Sequence, residues 1–203
     1  MTRRADFHER AIAALHDANE AAWREANAED SMRHFTRATH ALLGDPEAAA
    51  RPGSLKPGET QFVCSGIFFI APSRDHMILF ADNGYPAAQH HARIGINDSR
   101  PGNTVRTKQA AVVPNTDEDP IFRQILSSGR VGCSIYVPVM WNGDVIGMFN
   151  TAAQARYMYD ETDMRVQKLF AALAAGVWMG LGGPGLLCDV AGELGQWTSP
   201  APN

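Results

Sequence analysis

Residues 132–151 read GCSIYVPVMWNGDVIGMFNT, and the reading of this stretch decides the architecture. Two runs rich in β-branched and aromatic residues, Cys133 to Met140 and Val145 to Thr151, flank Asn142-Gly143-Asp144. Asn-Gly between such runs is the strongest short-range signal for a tight antiparallel hairpin. Side chains alternate along a strand, so Ser134 and Tyr136 share one face, while Cys133, Ile135 and Val137 share the other. The second set is the more apolar and is expected to pack on helices. Ser134 and Tyr136 then point to whatever covers the opposite face.

Downstream, Asp160 or Thr162 caps a helix in which Met164, Val166, Leu169, Phe170, Leu173, Val177 and Trp178 recur at helical spacing. Gly180, Gly182, Gly183 and Pro184 read as its end, and residues 181–203 as a loose tail. Upstream, Phe62 to Ile70 and Met77 to Ala81 form a second hairpin across Pro72, Ser73 and Asp75, closed by Asn83-Gly84. Between the hairpins lies a mixed excursion. It holds short strands at His91 to Ile96 and Ala111 to Val113, a helix capped by Asp98 or Ser99 that contains Thr104 to Gln109, and a helix Ile121 to Ser128 opened by Asp119-Pro120. Residues 5–43 lack Pro and Gly and are amphipathic helix, broken at most once.

The order helix, hairpin, excursion, hairpin, helix predicts an α+β domain. Its central antiparallel sheet carries the N- and C-terminal helices on one face and the excursion on the other, with a ligand pocket beneath the excursion. The expected divisions are an N-terminal helical extension (1–45), a Pro/Gly-rich linker (46–60), the domain (61–180) and the tail (181–203). A chain of 203 residues, 45% apolar and 20% charged, supports one core without metal or disulfide staples. Eighteen Lys+Arg against 22 Asp+Glu, with no basic cluster, speaks against nucleic acid or an anionic membrane as partner. The apolar run Leu169 to Leu181 is shorter than the ~18 residues a bilayer requires. Cys64, Cys133 and Cys188 lie far apart without a C-x-x-C pair, and the polar start of the chain lacks a signal-peptide pattern. Both point to a reducing, cytoplasmic setting.

Pro101-Gly102-Asn103-Thr104-Val105-Arg106-Thr107, Ala111-Val112-Val113-Pro114-Asn115 and Asp117-Glu118-Asp119-Pro120-Ile121-Phe122 resemble the middle of a GAF domain. Gly132 to Val139, Gly143 to Phe149 and Asp160-Glu161-Thr162-Asp163 resemble its closing hairpin and final helix. The resemblance runs over about residues 61–180. It implies a PAS-like sheet with a small-molecule pocket, in sensors whose ligands range from cyclic nucleotides and bilins to haem and metabolites. It does not choose among them. The residues outside the match are too few for a kinase or cyclase output, so the chain is expected to act on its own or through a signalling partner. The resemblance to the GAF-fold free methionine sulfoxide reductases fails at one motif, because Asn115 to Gly132 contains no cysteine.

The candidate ligand contacts are His90, His91, Arg93, Arg100, Thr104, Arg106, Asp117, Ser134 and Tyr136. His90 and His91 lie where the excursion enters its first strand, and adjacent strand residues face opposite sides, so only one imidazole faces the pocket, which disfavours a chelating pair. Arg100 and Arg106 at the start of a helix suit a carboxylate or phosphate, the plainer reading being ordinary capping with solvated arginines. Asp117 either borders the ligand or belongs to a solvated cap. The leading expectation is a sensor for a small anionic or aromatic metabolite, with a homodimer formed through terminal helices that carry Trp23, Phe35, Phe170 and Trp178. The alternative is an enzyme holding haem or a mononuclear metal in the same pocket through His76, His90 or His91.

Overall fold

The computed structural model describes residues 5–125 and 129–198. Among these, six strands form one antiparallel sheet in the order β3-β2-β1-β6-β5-β4. The strands are β1 (Val63–Ile70), β2 (His76–Asn83), β3 (Arg93–Gly95), β4 (Ala111–Val113), β5 (Cys133–Trp141) and β6 (Asp144–Ala153). The helices are α1 (Phe7–Ala22), α2 (Ala28–Leu42), α3 (Ser99–Thr107), α4 (Glu161–Gly180) and α5 (Gly183–Leu194).

The hairpin read first from the sequence forms as β5 and β6. Trp141 pairs with Asp144, and the turn between them has φ +48° at Asn142 and +83° at Gly143. Positive φ at both positions matches the strand twist, which is why Asn-Gly occupies them. Pro138 pairs with Met148 but lies beyond the end of β4, at a stretch where β5 is an edge and proline is tolerated. β1 and β6 occupy the centre of the sheet, and from Cys64 onward every residue of β1 is buried. A strand covered on both faces needs this unbroken apolar run.

The terminal helices cover one face. Residues 5–43 break once, between Ala22 and Ala28, where the Asn27 side chain accepts from the Asp30 backbone N–H at 2.8 Å and starts α2. On this face Phe35 and Met32 of α2 and Phe170 and Trp178 of α4 pack against Ile67, Phe69, Ile78, Phe80, Ile135, Val137 and Phe149. Trp178 stacks on Phe69 with ring centroids 3.7 Å apart. Asp160 opens α4 through a capping box with Asp163. On the other face α3 and the excursion cover Phe68, Met77, Leu79, Tyr136 and Met148.

Three expectations change. Residues 181–203 are not a loose tail as far as they are described: 183–194 is α5. The Gly-Gly-Pro that reads as a stop is also a start, because Gly182, at φ +75°, precedes the helix and Pro184 fills its first turn. Trp197 then returns to stack on His76, centroids 5.1 Å apart. Residues 121–125 are not helical, although Asp119 Oδ1 accepts the Ile121 N–H at 2.9 Å while its carboxylate also holds Arg100; the rest of that expected helix, 126–128, lies outside the described residues. Finally, the strand expected over 91–96 shortens to Arg93–Gly95. No single helix among the described residues is long and apolar enough to cross a membrane.

Candidate functional site

The sheet and the excursion enclose a gap. Its floor comes from alternate residues of neighbouring strands: Cys64 and Phe68 of β1, Met148, Asn150 and Ala152 of β6, and Tyr136 of β5. Gly66 stands between Cys64 and Phe68, and a Cβ there would lie 3.0 Å from the Tyr85 ring. The missing side chain lets Tyr85 fold over the strand. Its hydroxyl donates to Asn150 Oδ1 at 2.9 Å. The roof is Ile94, Pro101 of α3, and Phe122, Arg123, Gln124 and Ile125 of the loop after β4.

The walls are predominantly apolar, and the free volume between them is about 50 Å³. That admits a water or two, whereas pockets for drug-sized ligands occupy several hundred Å³. A larger guest therefore has to displace the roof. The contacts that hold it include Ser99 Oγ, which accepts from the Arg123 N–H at 2.7 Å, the Arg100 guanidinium, which grips the Asp119 carboxylate, Nη2 to Oδ1 at 2.8 Å, and Gln124 Oε1, which accepts from the Val131 N–H at 3.2 Å. Burial pushes the Cys64 thiol up to about 12, and the same desolvation holds the Tyr85 and Tyr136 hydroxyls above their ordinary range. Each is a neutral hydrogen-bonding group at pH 7. None is an ionised nucleophile.

The residues singled out from sequence divide sharply. Tyr136 lines the gap. Ser134, on the same face, donates to the Thr151 carbonyl at 3.1 Å. Arg100 stands at the rim but is spent on Asp119, so the guanidinium expected to take an anion is already paired with the protein's own carboxylate. Thr104 is on the buried face of α3, and its Oγ1 has no hydrogen-bond partner among the described residues. Arg106 is exposed and donates to Asn103 Oδ1 at 3.1 Å, while Arg93 donates to the Gly195 carbonyl at 2.9 Å. Asp117 belongs to a separate ion cluster with Lys56, Arg130 and Arg156. None of the three histidines lines the gap. His76 is bonded to Asp75 beneath Trp197, and His90 and His91 face Glu29 of α2 on the helical side of the sheet. The haem or metal arrangement expected through these histidines does not assemble in the pocket.

Sequence reasoning missed Tyr85 and Phe122. The signal for Tyr85 was Gly66, a glycine inside an otherwise bulky strand, which marks the close approach of another group.

A family model for the GAF domain matches residues 58–178. The chain belongs to the GAF domain family. Solved GAF folds superpose closely on this one. The GAF domain of an Acinetobacter phosphoenolpyruvate-protein phosphotransferase has a TM-score of 0.67 at 14% identity, covering 85% of this chain and 94% of that one. The corresponding domain from Coxiella burnetii gives 0.68 at 12%, covering 88% and 98%. Free methionine-R-sulfoxide reductase from Neisseria meningitidis, solved with its substrate, gives 0.68 at 15%, covering 91% and 96%. At these identities the likeness establishes the GAF fold and nothing finer. No curated protein matches the chain.

Proposed function

We propose that this GAF domain is a small-molecule sensor whose guest is neutral and partly aromatic and binds under the excursion. The observation that carries the reading is the Tyr85–Asn150 pair, a polar contact set into an otherwise apolar floor where a single hydrogen-bonding edge of a flat ligand would seat. Of the two ligand classes expected from sequence, the anionic one loses its support. Arg93 and Arg106 lie away from the gap, Arg100 is already neutralised, and Arg123, which does line it, turns Nη1 to the Pro120 and Phe122 carbonyls. Binding moves the roof outward, and the cost of breaking its contacts is subtracted from the gross affinity.

In this reading the output is a homodimer formed through the terminal helices in a reducing cytoplasm, acting on a signalling-protein partner. Phe35, Phe170 and Trp178 are used inside the chain, so the dimer face would be built from what the helices leave exposed: Ile12, Trp23 and Leu169. Light scattering at several protein concentrations tests that interface. Thermal melting with a panel of neutral heteroaromatics and small anions tests the pocket. A neutral compound should raise the melting temperature of the parent and fail to do so in Asn150→Leu. Stabilisation by anions alone, or equal stabilisation of parent and variant, would refute the assignment.

A further inference from the structure

His90 and His91 are successive residues, yet the structure puts both imidazoles on one side. The reason is local. Ala87–Gln89 forms a 3-10 turn and His91 takes φ +57°, a conformation that non-glycine residues adopt infrequently, so strand alternation does not operate here. The rings lie 3.9 Å apart by centroid and face Glu29 of α2. His90 Nε2 is 3.0 Å from Glu29 Oε1, and His91 Nε2 is 3.4 Å from Glu29 Oε2. The three residues present donor atoms that all lie within 4.8 Å of one another.

An ion bound tetrahedrally at 2.0–2.1 Å holds its donors about 3.3 Å apart. The two imidazole–carboxylate spacings, 3.0 and 3.4 Å, are already on that scale. The outer arrangement fits as well. His90 Nδ1 is 2.7 Å from Asp82 Oδ2, the carboxylate–imidazole contact that fixes the ring and leaves Nε2 for a metal. Arg33 Nη2 shares Oε1 of Glu29 with His90, at 3.0 Å, while Oε2 faces His91. A groove bordered by Arg33, Arg37, Asp82 and His90 gives an ion a route from solvent.

We propose that Glu29, His90 and His91 bind one divalent transition ion of the zinc class, with Asp82 orienting His90. Two imidazoles and a carboxylate select zinc over magnesium or calcium, which take oxygen ligands. Three protein donors leave a fourth position for water. The ion would staple α2 to the β2–β3 connection, on the opposite side of the sheet from the ligand gap, and the assignment stands independently of the sensor reading.

The test uses the full chain carrying Cys188→Ser, which removes the exposed thiol as a competing ligand, after stripping with a chelator. Calorimetric titration with zinc sulfate should show one saturable equivalent of micromolar or tighter affinity and a higher melting temperature, with no response to magnesium. His90→Gln and His91→Gln should each weaken binding at least 100-fold. Asp82→Asn, which keeps all three ligands, should weaken it roughly 10- to 100-fold. In the chain with native histidines, zinc should shift the imidazole proton resonances of His90 and His91, a readout that needs no further variant to fold. Absence of saturation, unshifted resonances, or binding that persists in the folded double histidine variant overturns the proposal and leaves the cluster as a proton-sharing network.

Discussion

Replacing Arg156 by methionine should cost about 3 kcal/mol at pH 7. Arg156 is 2% exposed, just beyond the end of β6. Its Nη1 and Nη2 reach the two oxygens of Glu59 at 2.6 and 3.1 Å, its Nε reaches Asp117 at 2.7 Å, and Nη1 also meets the Ser54 carbonyl at 3.2 Å. One guanidinium thus ties the segment before β1 and the excursion to the sheet. Methionine keeps much of the apolar stem but removes the charge. Asp117 retains Lys56 at 2.8 Å and also Arg130, whereas Glu59 loses its main partner. The hydrogen bond from Arg156 is the largest reason the Glu59 carboxyl sits at about 2 instead of its ordinary 4.5. At 1.36 kcal/mol per tenfold change in acidity, the whole difference is worth about 3 kcal/mol, an upper bound on the share of Arg156 because the Lys56 N–H and Gln154 also lower this carboxyl. Removing one partner of a buried pair typically costs 3–5 kcal/mol, so the two routes agree.

The sign of the pH dependence follows from the lowered carboxyl. The folded state gains the full stabilisation above about pH 4.5 and loses it as the pH falls through about 2. At pH 3 less than half should remain. In a chain of this size about 3 kcal/mol corresponds to a melting-temperature difference of about 6–12 °C at pH 7. Calorimetry on parent and Arg156→Met at pH 7, with urea unfolding at both pH 7 and pH 3, measures the gap and its narrowing. A variant that melts within 2 °C of the parent at pH 7, or a stability gap unchanged at pH 3, would refute the reasoning.

Two further outcomes follow from buried groups. Native protein treated with a thiol reagent should be labelled at Cys188 alone, because Cys64 and Cys133 are buried and desolvation holds their thiols at about 12 and about 11; mass spectrometry reads the site, and rapid native labelling of Cys64 would contradict the packing. Asp163→Ala should destabilise by about 2–4 kcal/mol in chemical denaturation, since its carboxylate accepts the N–H groups of both Gly44 and Asp160 from a fully buried position.

Why the architecture was legible and half of the site was not comes down to the range of the determining interactions. The β5–β6 hairpin depends on a dipeptide and an alternation that lie within 20 consecutive residues, and alternation alone sends Tyr136 to the gap and Ile135 to the helices. The α4 start is equally local, an Asp160–Asp163 box. Arg100 fails as an anion contact because of Asp119, 19 residues away, and nothing local announces that pairing. His90 and His91 were assigned to opposite faces by a rule valid for strands, and a single left-handed residue cancelled the rule. Once it does, the same two imidazoles meet Glu29 from a helix about 60 residues upstream. A polar side chain's role is thus set by a partner distant in sequence, whereas an apolar side chain needs only the right face. The consequence for the GAF domain is that its pocket floor, apolar and periodic, can be read from β1, β5 and β6, while its charge pattern emerges only from the fold. That is why, in the proposed reading, the anionic ligand class, which rested on arginines and a helix start, gives way to a neutral aromatic one, which rests on Tyr85 and Asn150.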